Sequence, residues 1–324
     1  MWKIKNIEIN SPLVLAPMAG YTDLPFRKVY KEFKVGLVYT EMISAMAIHY
    51  NSSRTFKMLD IAENEHPIAV QIFGGELNSL LETAKYLDNN SSCDIIDINM
   101  GCPVPKVLAS DSGSKWLLDP IKAYNMVKQI VESVKKPVTC KMRLGWDLKT
   151  QNYLEYAKLM EKAGISAIAV HGRTRSQYYA GEVNYQAIKE IKASLNIPVI
   201  ANGNINSLKQ ALYVLNETKA DAIMLGRGIL GNPYLLLEID ASLNNKKFEY
   251  PPLKDKLLVF IKLANYAVAY YKDEEFAIKQ LRGQAIFFIK GLPFANEYKN
   301  KLTQIISIKE LENIFKELLE RLTD

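Results

Sequence analysis

Only three cysteines occur in 324 residues, Cys93, Cys102 and Cys140, and no two of them form a CxxC pair. That spacing supports neither a disulfide framework nor a structural zinc site. No apolar run approaches the roughly 18–20 residues that span a bilayer. The opening MWKIKNIEINSPLVLAPM is too short in apolar residues for a secretory signal, and Pro17 interrupts it. These absences predict a cytoplasmic protein with no membrane association and no metal centre. Arginine is also scarce, at 8 residues against 33 lysines. Each arginine is therefore worth locating, because its planar fork makes bidentate contacts that lysine cannot. Arg143, Arg173, Arg175 and Arg227 fall just after short apolar runs, where loops would begin.

What is present is the mixture of a soluble globular chain, 48% hydrophobic and 23% charged. The net charge is +6, and the segment from Asn245 onward holds 14 basic and 11 acidic residues, so positive charge is denser in the tail. This is compatible with a polyanionic partner, and equally with a solvated lysine-rich face.

Eight strand-length apolar runs recur about every 30 residues: LVLAP (13–17), VGLVYT (35–40), PIAVQIF (67–73), DIIDIN (94–99), PVTCKM (137–142), SAIAVHG (166–172), IPVIANG (197–203) and DAIMLGRG (221–228). Segments of helical period lie between them, for example 77–87, 121–134, 153–164 and 208–217. Near-continuous apolar strands alternating with amphipathic helices imply a parallel sheet covered by helices. Eight such units in about 240 residues predict a (β/α)8 barrel, which typically takes ~250. After Pro251-Pro252 the chain reads as helices with no strand between them. The predicted organisation is a barrel domain over 1–244 and a small all-α domain over 245–324.

Active sites of such barrels lie at the C-terminal ends of the strands. Those ends carry Pro17-Met18-Ala19, Gln71, Asn99 through Cys102, Lys141 and Arg143, His171 through Arg173, Asn202-Gly203-Asn204 and Gly226-Arg227-Gly228. Any one of these has a structural explanation. Polar residues ending strands three to seven together point to a site. The glycine-bearing loops after strands seven and eight suggest a phosphate cradle, where backbone N–H groups approach closely and Arg227 adds a charged fork. Gly226 to Gly231 also matches G-x-G-x-x-G, but a dinucleotide-binding unit would need a further strand and a downstream acidic residue. The segment therefore reads as a mononucleotide phosphate site. Of the cysteines, Cys140 alternates with Lys141 and faces the helices, and Cys93 precedes its strand. Cys102 alone follows a strand end, where a thiol could serve as nucleophile, as general acid, or as a small turn residue.

Taken as a set, APMAGYTDLPFR (16–27), YTEMISA (39–45), AVQIFGG (69–75), DINMGCPVPKV (97–107), KMRLGW (141–146), HGRTRSQYYAGEVNY (171–185), PVIANGNI (198–205) and GRGILGNPY (226–234) resemble the tRNA-dihydrouridine synthases, and most closely the bacterial B type. The resemblance implies a tightly bound FMN at the barrel mouth, NADPH as reductant, and reduction of a uracil ring in RNA, most naturally tRNA. It places Pro17, Met18 and Ala19 along the isoalloxazine and Gln71 and Lys141 at its polar edge. His171, Asn202, Gly203, Asn204, Gly226 and Arg227 complete the cofactor and phosphate contacts. Cys102 becomes the general acid and Asn99 a holder of the target base. Arg143, Arg173, Arg175 and, in the tail, Arg282 become candidate RNA contacts. Neither a membrane nor an obligate protein partner is implied. Two departures stand out: Asn204 occupies a position where many relatives carry Asp, and Leu281-Arg282-Gly283-Gln284 replaces a more basic stretch. Two competing readings are a flavin barrel oxidoreductase acting on a free pyrimidine or enone, and an RNA-binding protein with a degenerate barrel. The basic helical tail argues against the first, and intact Cys102, Lys141 and His171 against the second.

Overall fold

The computed structural model describes residues 1–323. The chain opens with an antiparallel hairpin, β1 (Trp2–Ile4) and β2 (Ile7–Ile9). A parallel sheet follows, made of β3 (Leu13–Leu15), β4 (Val38–Tyr39), β5 (Ile43–Ser44), β6 (Ile68–Phe73), β7 (Ile95–Met100), β8 (Val138–Arg143), β9 (Ile168–His171), β10 (Val199–Asn202) and β11 (Ala222–Leu225). Its spatial order is β3-β11-β10-β9-β8-β7-β6-β4, with β5 also pairing β6. A parallel bridge between Val14 and Leu37 brings β3 beside the segment leading into β4 and nearly closes the ring. The predicted (β/α)8 barrel with a helical C-terminal region is therefore the observed architecture.

Helices α1 (Leu24–Tyr30), α2 (Ala45–His49), α3 (Ser53–Lys57), α4 (Leu77–Asn90), α5 (Pro105–Leu108), α6 (Pro120–Ser133), α7 (Tyr153–Lys162), α8 (Tyr185–Ser194), α9 (Leu208–Thr218) and α10 (Tyr234–Leu243) accompany the strands. Their starts are fixed by side chains that accept otherwise orphaned N–H groups. Asp23 caps Phe26, Asp119 caps Lys122 with Pro120 at the first position, and Ser207 caps Gln210. Among the described residues, no helix is long and apolar enough to cross a membrane.

Alternation along the strands separates two cores. Residues facing outward, such as Val70, Ile96, Ile98, Cys140, Met142 and Val170, pack under the helices. The inward set is different at its two ends. Toward the start of the strands Val14, Leu37, Ala69, Ile95, Ala167, Ile200 and Ala222 form an apolar cluster with Trp2, Ile4 and Ile9 of the hairpin. The hairpin thus plugs one end of the barrel, and the Trp2 indole donates to the Ser11 carbonyl at 3.0 Å to hold it there. Toward the other end the inward positions become polar: Gln71, Asp97, Asn99, Thr139, Lys141, Arg143, His171 and Asn202. The hairpin was not foreseen from sequence. Neither were β5 and helix α13 described below, and β3 ends at Leu15, two residues earlier than expected.

The tail consists of α11 (Leu253–Tyr271), α12 (Glu274–Ile289), α13 (Ala295–Leu302) and α14 (Ile308–Thr323). It packs on the barrel beside α1. Tyr271 donates to Asp23 at 2.8 Å, Tyr270 to the Lys57 carbonyl at 2.8 Å, and Lys262 pairs with Glu32 at 2.6 Å. Gly231, at φ 73°, lies where a methyl group would overlap the Phe287 carbonyl at the end of α12. The last glycine of the G-x-G-x-x-G match therefore serves contact between barrel and tail, and β11 is followed by α10 rather than by another strand, as a dinucleotide unit would require.

Candidate active site

The polar rim at the strand ends is built from the bottom up by a buried network. Asp97, fully buried on β7, accepts from the Thr139 hydroxyl at 2.6 Å and from Gln71 Nε2 at 2.7 Å. Burial raises its carboxyl to about 6. Gln71 Oε1 accepts from Asn99 Nδ2 at 2.8 Å, and Asn99 Oδ1 accepts from the backbone N–H groups of Gly101 at 3.1 Å and Cys102 at 2.9 Å. The Gly-Cys-Pro turn is thereby anchored to the strand that precedes it. Its far side is held by Ser114, whose N–H and hydroxyl both donate to the Cys102 carbonyl, at 3.1 and 3.0 Å.

Of the three thiols Cys93 and Cys140 are buried, whereas Cys102 is partly accessible at the mouth. Partial burial pushes its thiol above the usual range, against the pull of nearby Arg143 and Lys141, so at neutral pH the sulfur carries its proton. Lys141 lies on the same rim, partly accessible, and makes no hydrogen bond or ion pair among the described residues. Burial, helped by Arg143, lowers its ammonium to about 8. His171 is buried, its Nδ1 has no partner among the described residues, and burial together with Lys141, Arg143, Arg173 and Arg227 holds its ring well below the usual imidazole range. The imidazole is therefore neutral in a positively charged neighbourhood.

The arginines divide into two kinds. Arg143 is buried, and its fork donates to the carbonyls of Gly101 at 2.9 Å, Thr174 at 2.8 Å and Tyr178 at 2.7 Å, tying the loop after β7 to the loop after β9. Arg173 donates twice to the Gly181 carbonyl, leaving a buried Nη1 without a partner among the described residues. Arg175 stacks over Trp146 at 4.1 Å. Arg282 donates to the Ile305 and Gln304 carbonyls, at 2.8 and 2.9 Å, and braces the turn before α14. Arg227 is the exception: it is exposed, and its guanidinium lies 3.9 Å over the Tyr179 ring.

The glycine loops after β10 and β11 abut. Gly226 faces Ala16 and Met18, each 3.5 Å from where a Cβ would stand, which puts the end of β3 beside the end of β11. Met18 is held by a double contact with Thr22: its N–H donates to the Thr22 hydroxyl at 3.0 Å, and its carbonyl accepts from that hydroxyl at 3.3 Å. Pro17 and Met18 are partly accessible, and Ala16 is buried beneath them. Asn202 donates to the Met224 carbonyl at 2.7 Å, Tyr185 donates to the Gly203 carbonyl at 2.8 Å, and Asn204 is exposed in the left-handed region at φ 52°. Gly228 sits so close to the Ile205 carbonyl that a methyl group would overlap it. Gly228→Ala is accordingly expected to force these two loops apart and to cost about 1–3 kcal/mol of stability by overpacking. Urea unfolding checks this, and a midpoint equal to wild type would show that the loops are not in contact.

Sequence reading did not find Asp97, Thr139, Ser114 or Tyr179. Asp97 was accessible in principle, since it lies two positions before Asn99 on the same strand face. Tyr179 carries no such signal, because a loop residue has no periodicity to mark its direction.

A parallel barrel with a protonated thiol, an ammonium free of ion pairs and two abutting glycine loops at the C-terminal mouth has the layout of a barrel enzyme. The family Dihydrouridine synthase (Dus) matches residues 14–323. A Rickettsia bellii protein named "Probable tRNA-dihydrouridine synthase" is 37% identical over 314 residues, covering 96% of each chain. "tRNA-dihydrouridine synthase B" of Pasteurella multocida is 35% identical, covering 98% of this chain and 96% of its own. The protein of the same name from Xanthomonas axonopodis pv. citri is 40% identical over 260 residues, covering 79% of this chain and 78% of its own. The chain belongs to the dihydrouridine synthase family, and it is an oxidoreductase.

Proposed function

We propose that this protein reduces the C5–C6 double bond of uridines in tRNA to 5,6-dihydrouridine, using FMN as resident cofactor and NADPH as reductant. The single observation that carries the reading is the partly accessible Cys102, protonated and rigidly held beside the unpaired Lys141 at the barrel mouth. The names of the relatives supply the substrate.

The rim residues fit FMN. Lys141 Nζ, His171 Nδ1, Arg173 Nη1 and the Arg227 guanidinium are polar groups without hydrogen-bond partners among the described residues, and the three cations all lie near enough to disfavour a charge on His171. An anionic guest satisfies them together. On this reading Pro17, Met18 and Ala19 would pack against the ring, Gln71 and Lys141 would meet its polar edge, and Asn202, Gly203, Asn204, Gly226 and Arg227 would take the ribityl phosphate. When bound, FMN would be the source of the hydride that C6 of the uracil receives.

The chain's own residues do the rest. The C5–C6 bond is conjugated to the C4 carbonyl, so hydride addition at C6 leaves an electron pair shared between C5 and O4. Cys102 delivers its proton to C5, closing the reduction with one hydride and one proton added. Asn99 holds the base, and Arg143 keeps the Cys102 turn in place from beneath through the Gly101 carbonyl. The uracil reaches this mouth only when the nucleotide leaves its stack. Arg175 and the basic tail offer cations to the RNA backbone, which gives a binding constant that falls steeply with salt.

A purified preparation is expected to be yellow and to form dihydrouridine in unmodified tRNA but not in free uridine. Colourless protein that gains no activity with added FMN would refute the cofactor assignment. Equal turnover of free uridine would refute the substrate assignment in favour of a small-molecule reductase.

A further inference from the structure

Beneath the rim runs a hydrogen-bond chain whose direction is set by its two ends. At one end the Asp97 carboxylate can only accept; at the other the backbone N–H groups of Gly101 and Cys102 can only donate. Between them lie two carboxamides, Gln71 and Asn99, each able to face either way. Only one orientation satisfies every link: Gln71 turns Nε2 to Asp97 at 2.7 Å and Oε1 to Asn99 Nδ2 at 2.8 Å, which leaves Asn99 Oδ1 for the Cys102 N–H at 2.9 Å. Reversing either amide would set two acceptors or two donors against each other inside the barrel, and such mismatched buried contacts are costly.

We propose that Asp97 is a positioning residue that acts through Gln71 and Asn99 to orient the turn bearing Cys102. This rests on the proposed function only for its catalytic consequence; the orientation itself is a property of the free protein. The role belongs to the acceptor on the Gln71 side of residue 97, because the other carboxylate oxygen is turned to the Thr139 hydroxyl at 2.6 Å. A hydroxyl can donate or accept, so Thr139 adapts to whatever faces it.

That adaptability gives a specific test. In Asp97→Asn the carboxamide can point its NH2 at Thr139, which then accepts, and keep its oxygen toward Gln71; the chain survives. In Thr139→Val the carboxylate still accepts from Gln71, and the chain again survives. In the double variant the Gly101 and Cys102 N–H groups still demand the same direction, so the carboxamide introduced at position 97 must either leave its NH2 against an apolar side chain or turn it to the Gln71 NH2. Either way one buried link is unmet and the relay loosens. Each single variant is expected to keep at least about half of wild-type kcat, while the double variant loses about tenfold or more, a non-additive result diagnostic of coupled groups. The Michaelis constant for tRNA is expected to stay within about twofold of wild type in all three, because the loss is one of alignment rather than binding.

A second readout needs no turnover. Iodoacetamide labelling of Cys102 in the intact protein, followed by peptide mass mapping, is expected to accelerate about fivefold in the double variant alone, as the turn opens more readily. Additive losses in kcat, or an Asp97→Asn variant already as slow as the double, would overturn the relay. So would an unchanged labelling rate in the double variant. If the wild-type protein left tRNA unreduced, the proposed function would fail, and the labelling arm would still decide the relay.

Discussion

Cys102→Ala is expected to lower kcat for unmodified tRNA by about 10²–10⁴-fold, the range over which a positioned general acid contributes. The thiol is small and partly accessible, so its removal leaves little cavity, and fold, flavin content and RNA affinity are expected to persist. The contacts that anchor the turn to Asn99 and Ser114 use the backbone N–H and carbonyl of Cys102; alanine keeps both and loses only the contact of the sulfur with the Val104 backbone. The pH dependence follows from the direction of the thiol's shift. Burial raises it above the usual range, so the acid stays protonated across neutral pH, and its contribution fades only on the alkaline side as the proton is lost. Rapid-quench assays of dihydrouridine formation check both points. Wild-type turnover in the alanine variant would remove Cys102 from the reaction.

Lys141→Met is expected to move stability and activity in opposite directions. The ammonium is drawn partly out of water on β8, makes no ion pair among the described residues, and is further disfavoured by Arg143, against a weaker pull from the buried Asp97. Removing such a charge relieves the folded state of a desolvation cost. In protein stripped of flavin, the variant is expected to unfold at a higher urea concentration than wild type at pH 7. The sign follows from linkage: the folded value of about 8 lies below the usual lysine range. Between the two the unfolded chain binds more protons, and wild-type stability rises with pH there. The advantage of the variant is largest below pH 8 and shrinks toward about pH 10, where the unfolded lysine also loses its proton. With tRNA and cofactor present, the same substitution is expected to reduce turnover by about tenfold or more, since an opposing charge near developing anionic character is lost. A variant less stable than wild type at pH 7, or one with full turnover, would contradict the role.

Much of this was legible in the sequence because parallel barrel strands are buried on both faces and read as continuous apolar runs. Within those runs, the polar residues at the final inward positions, Gln71, Asn99, Lys141, His171 and Asn202, marked the mouth before any coordinates did. The plug of Trp2, Ile4 and Ile9 was not legible: its strands are three residues long, too short for a periodic signal, and its partners lie more than a hundred residues away in Ala167, Ile200 and Ala222. Helix α13 was hidden by the break signals of Gly291 and Pro293 just before it. The arginines show a different limit. An arginine that reads a phosphate and one that ties loops together both sit just after a strand, and only the carbonyls around Arg143 and Arg282 distinguish the second kind. Asp97 was visible as a residue but not as the start of a relay, because its meaning depends on Thr139, 42 positions further on.

The proposed reaction ends with a proton passing from the exchangeable Cys102 thiol to C5 of an RNA uracil at the barrel mouth. Its most direct measurement is a single turnover of unmodified tRNA by the NADPH-reduced holoenzyme in D2O, with the reduced nucleoside isolated and the label located by NMR. The expected product is dihydrouridine carrying one solvent deuterium at C5, whatever isotope the exchangeable N–H of the reduced flavin delivers to C6. Product with no deuterium at C5, or no dihydrouridine at all, would contradict the proposed proton transfer.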